Sequence, residues 1–411
     1  MITILCSGSR GDFQPYIALA QELQKLGKSV RITGGISFKD FIQGYGIDFY
    51  TLSADYQSTG IDPALLEDAQ SSDNPLKMLL TFNKMKNYVI GLTEEMFCAC
   101  KGSELIVYHP GCTIGYFAGE QLGIPSVLAA PFPIHKTKEF ASLIAYGKTK
   151  MPKLLSYKLL QGMLWMAGKT GIIAFYKKEY HKLPDNFGSP FERVDKNHPA
   201  IISCSNFVFP RPKDWNADTH QNGYWFVKEN IDYAPAKELS DFLMKGDKPV
   251  YIGFGSVFDS KDTDETIKLV IDALNKSGKR GIICGMGDIK NLPDTILAIN
   301  SIPHSWLFDR VSLVCHHGGA GTAAAGFKAG IPCVIIPFSN DQFAWAHRAY
   351  DIGVGSKPIY RKNLTSDKLA SAIQFALQDE IIKNAKTLGK NISTENGSEV
   401  CAEIIANCLG R

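Results

Sequence analysis

Two adjacent histidines and a run of glycines form the stretch of this sequence whose residue types best suit ligand chemistry. The letters HHGGAGTAAAG run from His316 to Gly326, after an apolar stretch and before a helical pattern. Small residues let a ligand approach the backbone, and the first amides of a helix carry the positive end of its dipole. We therefore expect a phosphate or diphosphate site in this turn, with one histidine packed inside and the other directed at the anion. The alternative is a tight strand-to-helix turn without a ligand.

Polar side chains follow the next apolar run, in the stretch PFSNDQFAW from Pro337 to Trp345. An acid and an amide at the carboxyl end of a strand suit the several hydroxyls of a sugar, and ligands of open α/β sheets bind at that end. Capping of a helix by Asn340, with Asp341 in its first turn, explains the same letters without a ligand.

Two shorter stretches of the same half add groups that fit a nucleotide. GFGS, which ends at Ser256, follows a predicted strand and supplies backbone amides and a hydroxyl. IPHSWLF places His304 and Trp306 in a loop, where an imidazole or an aromatic ring can stack on a base. A core position for Trp306 is the alternative. Together, these stretches describe a site for a nucleoside diphosphate that carries a sugar.

The chain opens with another glycine loop, GSRGDFQPY from Gly8 to Tyr16, directly after the apolar run Ile2 to Cys6. The spacing of Gly8 and Gly11 does not fit the G-x-G-x-x-G turn of dinucleotide-binding proteins, and the later glycine turn does not fit it either. An NAD-dependent oxidoreductase is therefore disfavoured.

Apolar runs bounded by turn residues alternate with helical patterns in both halves, which predicts a parallel α/β architecture with two similar sheets. A length of 411 residues suits two domains. Residues 210–248, with the group GYWF, have the composition of a linker, so we place the domains at 1–229 and 230–411. The helical pattern from Ser398 to Leu409 is compatible with packing on either domain. The predicted strands are Ile2–Cys6, Ser29–Thr33, Leu105–Tyr108, Ser126–Ala130, Pro249–Phe254, Gly281–Cys284, Leu313–Cys315 and Cys333–Ile336. The predicted helices are Pro15–Leu26, Glu265–Lys276 and Ala320–Ala329.

The composition is that of a globular protein and indicates no charged partner. There are 44 basic and 41 acidic residues, a net charge of +3, so we expect no nucleic acid. The ten cysteines are scattered without C-x-x-C spacing, which favours reduced thiols and no metal site. Arg10 and Asp12 interrupt the first apolar run, so it does not have the pattern of a signal peptide. No stretch has the length and apolar character of a membrane span. We therefore expect a cytoplasmic protein.

As a set, these motifs resemble the GT-B glycosyltransferases of family 1, in particular the sterol glucosyltransferases and the related antibiotic glycosyltransferases. GSRGDFQPYIALAQ, GYWF, GFGS, IPHSWLF, HHGGAGTAAAG, AGIP and PFSNDQFAWA occur in that family's order and cover most of the chain. The resemblance implies the α/β GT-B fold, with two Rossmann-like domains whose parallel sheets face each other across a cleft. It also implies an N-terminal acceptor domain, a C-terminal donor domain, inversion at the anomeric carbon and no required metal.

The resemblance assigns roles to individual residues. It makes Asp12 the general base for the acceptor hydroxyl, while Arg10 counters phosphate charge or restrains the loop. The alternative for Asp12 is a cap of the helix predicted from Pro15. His317 and the amides from Gly319 to Thr322 would hold the diphosphate. The full implied donor set is Ser9, Arg10, Ser256, His304, Trp306, His317, Gly319, Ala320, Gly321, Thr322, Asn340, Asp341 and Gln342.

The acceptor side is predicted in a basic and apolar region. Residues 136–182 contain ten lysines and two acids, Glu139 and Glu179, interleaved with leucines and methionines. This composition suits either contact with an anionic membrane surface or a solvated helical lid. We expect Phe132, Pro133 and His135, just before it, to line the acceptor wall.

The leading hypothesis is transfer of a hexose, glucose from UDP-glucose, to a hydroxyl of a sterol or other apolar small molecule, with no cofactor besides the donor. Two alternatives stay open. One is a TDP-sugar-dependent transferase that acts on a polyketide or peptide natural product, and the other is a non-catalytic lipid-binding protein.

Overall fold

The computed structural model describes residues 1–8, 10–53, 85–228, 233–254, 263–287, 289, 292–339 and 341–409. The chain divides into two compact units. The first comprises Met1–Ser142, Lys150–Lys228 and Glu395–Arg411, and the second comprises Leu143–Thr149 and Glu229–Thr394.

Strands and helices alternate along most of the described chain. The strands are β1 Ile2–Leu5, β2 Val30–Gly35, β3 Asp48–Leu52, β4 Leu105–Tyr108, β5 Ser126–Ala130, β6 Ala200–Ser203, β7 Thr219–Gly223, β8 Val250–Gly253, β9 Gly281–Cys284, β10 Ile296–Ile299, β11 Leu313–His316 and β12 Cys333–Ile335. The helices are α1 Arg10–Lys25, α2 Lys39–Gln43, α3 Lys86–Cys100, α4 Ile114–Leu122, α5 Lys153–Tyr180, α6 Lys237–Met244, α7 Thr263–Ser277, α8 His304–Leu307, α9 Ala320–Ala329, α10 Gln342–Asp351, α11 Ser366–Ala376, α12 Asp379–Ile392 and α13 Gly397–Cys408. Short 3-10 turns occupy Ile36–Phe38, Phe308–Arg310 and Arg361–Asn363.

Each unit is built on one parallel sheet, as the sequence predicts. The strand order is β3-β2-β1-β4-β5-β6-β7 in the first unit and β10-β9-β8-β11-β12 in the second. Strands such as β1, β4 and β8 are buried along their whole length, which explains their continuous apolar sequences.

The order of strands reverses once in each sheet, and a ligand is expected to bind at these reversals. In the first unit the chain turns back between β1 and β4, and in the second between β8 and β11. In open α/β sheets the crevice for a ligand lies beyond the carboxyl ends of the strands at such a reversal. The loops after β1, β4, β8 and β11 are therefore the expected binding loops.

The last helix, α13, completes the core of the first unit. Cys401, Ala402 and Ile405 are fully buried and belong to the same apolar cluster as Ile17 of α1. The chain thus returns to its first unit after passing through the second.

Two interpretations of the sequence were wrong in detail. The first helix begins at Arg10 and contains Pro15, whereas the sequence predicts a start at Pro15. Proline removes one helical hydrogen bond, and burial of Phe13, Tyr16 and Ile17 against the core outweighs that loss.

The group GYWF belongs to the first unit and not to a linker. Gly223 ends strand β7, and Trp225 is only 4% exposed within the core of the first unit. The backbone N–H of Trp225 donates to Ser203 Oγ at 3.0 Å, which fixes the chain after β7 against β6. The composition was misleading because polar residues surround a short buried segment.

Candidate nucleotide-sugar site

The turn after β11 has one histidine inside and one at its surface. His316 is 1% exposed, and its Nδ1 accepts a hydrogen bond from the backbone N–H of Gly318 at 3.1 Å. Burial, with smaller contributions from the neighbouring His317 and His304, holds the pKa of His316 well below its ordinary value. His316 is therefore a neutral residue that closes the turn.

His317 projects in a different direction from His316. The two rings are nearly perpendicular, with centroids 6.4 Å apart. Burial lowers the pKa of His317 to about 4, so its imidazole is neutral at neutral pH. Its Nδ1 is buried and has no hydrogen-bond partner among the described residues. A neutral ring beside the turn can donate a hydrogen bond to a phosphate oxygen without the cost of desolvating a charge.

Glycine is required in this turn by conformation and by space. Gly318 has a φ of +97°, and a Cβ there would lie 2.8 Å from Ile335 Cγ2 and 3.0 Å from the backbone oxygen of Gln342. The close approach at Gly318 brings the start of α10 against the turn. Two motifs that are separate in the sequence are therefore neighbours in the fold.

The start of α9 supplies backbone donors. Gly319 is the N-cap residue of α9, and no side chain caps this end of the helix. Because the first amides of a helix have no partner within it, those of Ala320, Gly321 and Thr322 suit an anion. The structure thus places His317 and residues 319–322 together at the end of β11, beside the strand reversal.

Asp341 and Gln342 also lie at this edge, and their side-chain oxygens hold the turn before α10. Gln342 Oε1 accepts hydrogen bonds from the backbone N–H groups of Phe338 at 2.8 Å and Ser339 at 3.1 Å. Asp341 Oδ2 accepts from Trp345 Nε1 at 2.8 Å. These contacts orient both side chains. Asp341 is the N-cap residue of α10, but its side chain forms no capping hydrogen bond there.

His304 lies near the two histidines, whereas Trp306 has other neighbours. His304 stacks on Phe308, with ring centroids 4.5 Å apart, and its Nε2 lies 3.3 Å from Tyr251 Oη at the end of β8. Trp306 packs against Tyr233, and the Arg310 guanidinium lies 4.2 Å from its ring centroid. His304 acts electrostatically on His316 of the donor turn, whereas the ring contacts of Trp306 are with Tyr233 and Arg310. The predicted donor residues Ser9, Ser256 and Asn340 lie outside the described residues.

In the first unit, Asp12 lies in the first turn of α1, next to Gly8. Gly8 has a φ of +134°, and a Cβ there would overlap Asp12 Oδ2. Asp12 is partly buried, and its backbone oxygen accepts a weak hydrogen bond from Cys6 Sγ at 3.6 Å. The glycine hinge thus lets the carboxylate pack against the end of β1. Arg10 lies over the Phe41 ring at 4.5 Å, so its guanidinium is directed to α2.

His109 is a candidate site residue that the sequence analysis missed. It follows β4, and its backbone N–H donates to Leu5 O at 2.9 Å, which ties it to the end of β1. Its Nδ1 accepts from the backbone N–H of Gly111 at 3.0 Å, so the neutral ring carries its proton on Nε2. Burial lowers the pKa of His109, and the charge of Asp12 opposes that shift. Its signal was a histidine directly after a predicted buried strand.

The predicted acceptor residues lie at the same edge of the first sheet, after β5. Phe132 is partly buried, and Pro133 and His135 are buried. The His135 ring packs edge-on against Trp215 with centroids 6.0 Å apart, and its Nε2 has no hydrogen-bond partner among the described residues. Gln161 of α5 donates to the backbone oxygen of Ile134 at 3.1 Å. Helix α5 therefore fixes this loop.

Two family models match the chain, one in each half. The Glycosyltransferase family 28 N-terminal domain matches residues 2–141, and the erythromycin biosynthesis protein CIII-like C-terminal domain matches residues 282–409.

Curated relatives match along nearly the whole chain. It is 32% identical to the sterol 3-beta-glucosyltransferases UGT80A2 and UGT80B1 of Arabidopsis thaliana over 96% of its length. It is also 32% identical to the sterol 3-beta-glucosyltransferase of Yarrowia lipolytica over 97% of its length. The relatives are longer: the chain spans 63% and 66% of the two Arabidopsis proteins and 28% of the Yarrowia protein.

Solved structures share the fold at low sequence identity. The glycotransferase of kitacinnamycin superposes with a TM-score of 0.74 at 16% identity, over 99% of this chain and 98% of that one. The calicheamicin glycosyltransferase CalG4 gives 0.71 at 15% identity, over 100% and 98%. VinC in complex with dTDP gives 0.68 at 15% identity, over 100% and 99%. The family resemblance inferred from the motifs is confirmed, and the chain has the GT-B fold of these glycosyltransferases.

Proposed function

We propose that this protein transfers a hexose, glucose from UDP-glucose, to a hydroxyl group of a sterol or a similar apolar alcohol, with inversion of the anomeric carbon. The relatives named sterol 3-beta-glucosyltransferases support the sugar and the acceptor class. Two structural neighbours in complex with thymidine diphosphate (dTDP) support a nucleoside diphosphate as the leaving group.

The observation on which the proposal depends most is the turn from Gly318 to Ala320. It ends β11 at a strand reversal, carries the neutral His317 beside it and opens an uncapped helix. When the bond between the anomeric carbon and the phosphate oxygen breaks, negative charge develops on the diphosphate. Backbone amides and a neutral imidazole stabilise that charge where it forms, so the proposed reaction requires no metal ion or further cofactor.

Asp12 is proposed as the general base. As the acceptor oxygen forms its bond to the anomeric carbon, its proton passes to the Asp12 carboxylate. A base placed in this way contributes roughly 10² to 10⁴ in rate. Attack by the acceptor oxygen on the face opposite the leaving diphosphate inverts the configuration.

The test is release of UDP with a panel of UDP- and TDP-sugars and a sterol, with the product identified by mass spectrometry. We expect UDP-glucose with a sterol to give a glucoside. The Asp12→Asn variant is expected to lower turnover by at least about a hundredfold while the dissociation constant of the donor stays within about twofold. The matched control is Asp40→Asn, an exposed acid in the first turn of α2.

Three outcomes would change the proposal. Glucosylation that survives Asp12→Asn would remove the base assignment. Transfer from TDP-sugars alone would replace the donor, and the dTDP complex of VinC makes this the second candidate. No nucleotide release with any donor, together with sterol binding, would favour a lipid-binding protein.

A further inference from the structure

The outer face of helix α5 carries an unusual concentration of exposed apolar side chains. Nine large hydrophobic residues are exposed in the described part of the chain, and four of them lie on α5: Leu154, Leu155, Leu159 and Met166. The opposite face is also apolar and is buried through Tyr157, Leu160, Ile172, Phe175 and Tyr176. A helix at a protein surface normally has a polar outer face. Packing within the first unit therefore explains only one of the two apolar faces of α5.

Three of these four residues form a stripe along the helix. Leu155, Leu159 and Met166 are 45%, 43% and 49% exposed, and their spacing of four and seven residues puts them within about 40° of each other around the axis. From Leu155 to Met166 the stripe is about 17 Å long. Lys158 and Lys169 are exposed and fall within about 60° of Leu155, on the side away from Leu159.

The chain segment that contains the stripe carries charge of one sign. Between Glu139 and Glu179 the sequence contains seven lysines and no acidic residue. Some of these lysines are engaged: Lys153 bonds to backbone oxygens, and Lys178 pairs with Glu94. Lys158 and Lys169 form no ion pair with any residue that the structure describes. An apolar strip bordered by unpaired ammonium groups is complementary to an acyl layer bordered by phosphate headgroups.

We infer that α5 docks this protein on the surface of a bilayer that contains anionic lipid, with Leu155, Leu159 and Met166 in the interface and Lys158 and Lys169 at the headgroups. The helix lies on the bilayer and does not cross it, because no helix among the described residues is long and apolar enough to span a membrane. The same helix holds the Phe132–His135 loop through Gln161, so docking would bring the predicted acceptor wall near the lipid surface.

This inference goes beyond the proposed reaction and is tested without donor or acceptor. Sucrose-loaded vesicles of phosphatidylcholine alone and of phosphatidylcholine mixed with phosphatidylserine are sedimented with the full chain. We expect the chain to sediment with the anionic vesicles, to release as salt is raised and to bind the neutral vesicles at least about tenfold more weakly.

Two variants separate the apolar and the electrostatic contributions. Leu155→Ser combined with Leu159→Ser and Met166→Ser is expected to lower the partition constant on anionic vesicles at least about tenfold, because the variant lacks the three apolar side chains that would enter the bilayer interface. Lys158→Glu with Lys169→Glu is expected to lower it by at least about tenfold as well. All five positions are exposed, and circular dichroism verifies that each variant is folded.

Control variants make the same kinds of change elsewhere in the chain. Met244→Ser changes an exposed apolar residue of the second unit, and Lys362→Glu with Lys383→Glu makes the same change in charge at exposed positions of that unit. Both are expected to bind vesicles like the wild type.

Several results would overturn the inference. Absence of binding to anionic vesicles, equal binding to neutral vesicles, or equal loss in the control charge variant would each remove it. A dimer seen by light scattering that the serine variant dissociates, with no vesicle binding, would assign the stripe to a second copy of the chain instead. Failure of the proposed glucosyl transfer would leave a positive vesicle result intact.

Discussion

The imidazole of His317 lies so close to Gly319 that a Cβ on Gly319 would be 2.7 Å from His317 Nε2. The ring and the first amides of α9 therefore occupy adjoining positions, and each limits the space of the other. If both contact the donor diphosphate, any side chain on Gly319 displaces the ring from its position.

We predict that Gly319→Ala raises the dissociation constant of UDP by at least about tenfold, the size expected when one hydrogen bond to a charged group is lost. Isothermal titration calorimetry measures this. Gly326→Ala on the same helix is the control, because a Cβ there meets nothing within 4 Å. Unchanged UDP binding by Gly319→Ala would contradict the placement of the diphosphate.

A second prediction concerns the electrostatic link between Asp12 and His109. Burial lowers the pKa of His109, and the Asp12 carboxylate partly offsets that shift. In Asp12→Asn the offset is lost, so the pKa of His109 is expected to fall further. Proton or carbon NMR of the histidine rings across a pH titration measures the change.

His135 provides the control in the same spectra, because the acid that raises its pKa is Glu192 and not Asp12. Cys6, Cys112 and Tyr16 also interact with Asp12, and burial raises the pKa of all three, which keeps them neutral at neutral pH. A His109 titration that is the same in both proteins would show that the two side chains are not coupled.

Several of the strands that are buried on both faces were predictable from the sequence. β4, β5 and β9 begin and end at the predicted residues, and so does α9, because turn residues bound each apolar run. The short apolar strands β6 and β10 were missed. β3 and β7 were missed as well, since the segments DFYTL and THQNG carry polar residues and lie at the two edges of the sheet. Their strand conformation comes from pairing with β2 and β6, which is a tertiary effect that local patterns do not contain.

The candidate site was predictable where a motif is continuous in the chain. The turn from His316 to Thr322 is one such motif, and it joins a strand to a helix as the sequence predicts. His109 was not found, because only the pairing of β4 with β1 brings it beside Asp12, some 97 residues earlier in the sequence. The separate environment of Trp306 has the same origin, since packing against Tyr233 and Arg310 is not visible in the motif.

The third prediction is that His135 makes the first unit less stable in acid. Burial lowers the pKa of this histidine from 6.5 to about 4, although Glu192 and a hydrogen bond to the Phe191 backbone oppose the shift. Between these two values the unfolded chain binds more protons than the folded one, so the free energy of unfolding decreases as pH falls through that window. The loss reaches about 3 kcal/mol at pH near 4.

His135→Leu removes this titrating group. Between pH 7 and pH 4 the free energy of unfolding of the variant is therefore expected to fall by about 3 kcal/mol less than that of the wild type. Urea unfolding at several pH values between 7 and 4 gives the slope of the free energy of unfolding against pH for each protein. Comparing the two slopes separates the effect of proton binding from any pH-independent change in packing. Equal slopes for the variant and the wild type would show that His135 is accessible to protons in the folded state.

The last prediction tests whether GYWF belongs to the core of the first unit. Trp225 is 4% exposed, packs edge-on against Tyr16 at 6.2 Å between centroids and shares its apolar cluster with α1 and α13. Trp225→Ala is expected to lower the free energy of unfolding by about 3 to 5 kcal/mol, because it leaves a cavity in a closely packed core. Circular dichroism during urea unfolding measures the loss without relying on tryptophan fluorescence. Met244→Ala is the control, since Met244 is 76% exposed and a change there is expected to stay within about 0.5 kcal/mol. A loss of less than about 1 kcal/mol in Trp225→Ala would mean that this segment behaves as the linker its composition suggests, and that α13 meets α1 without it.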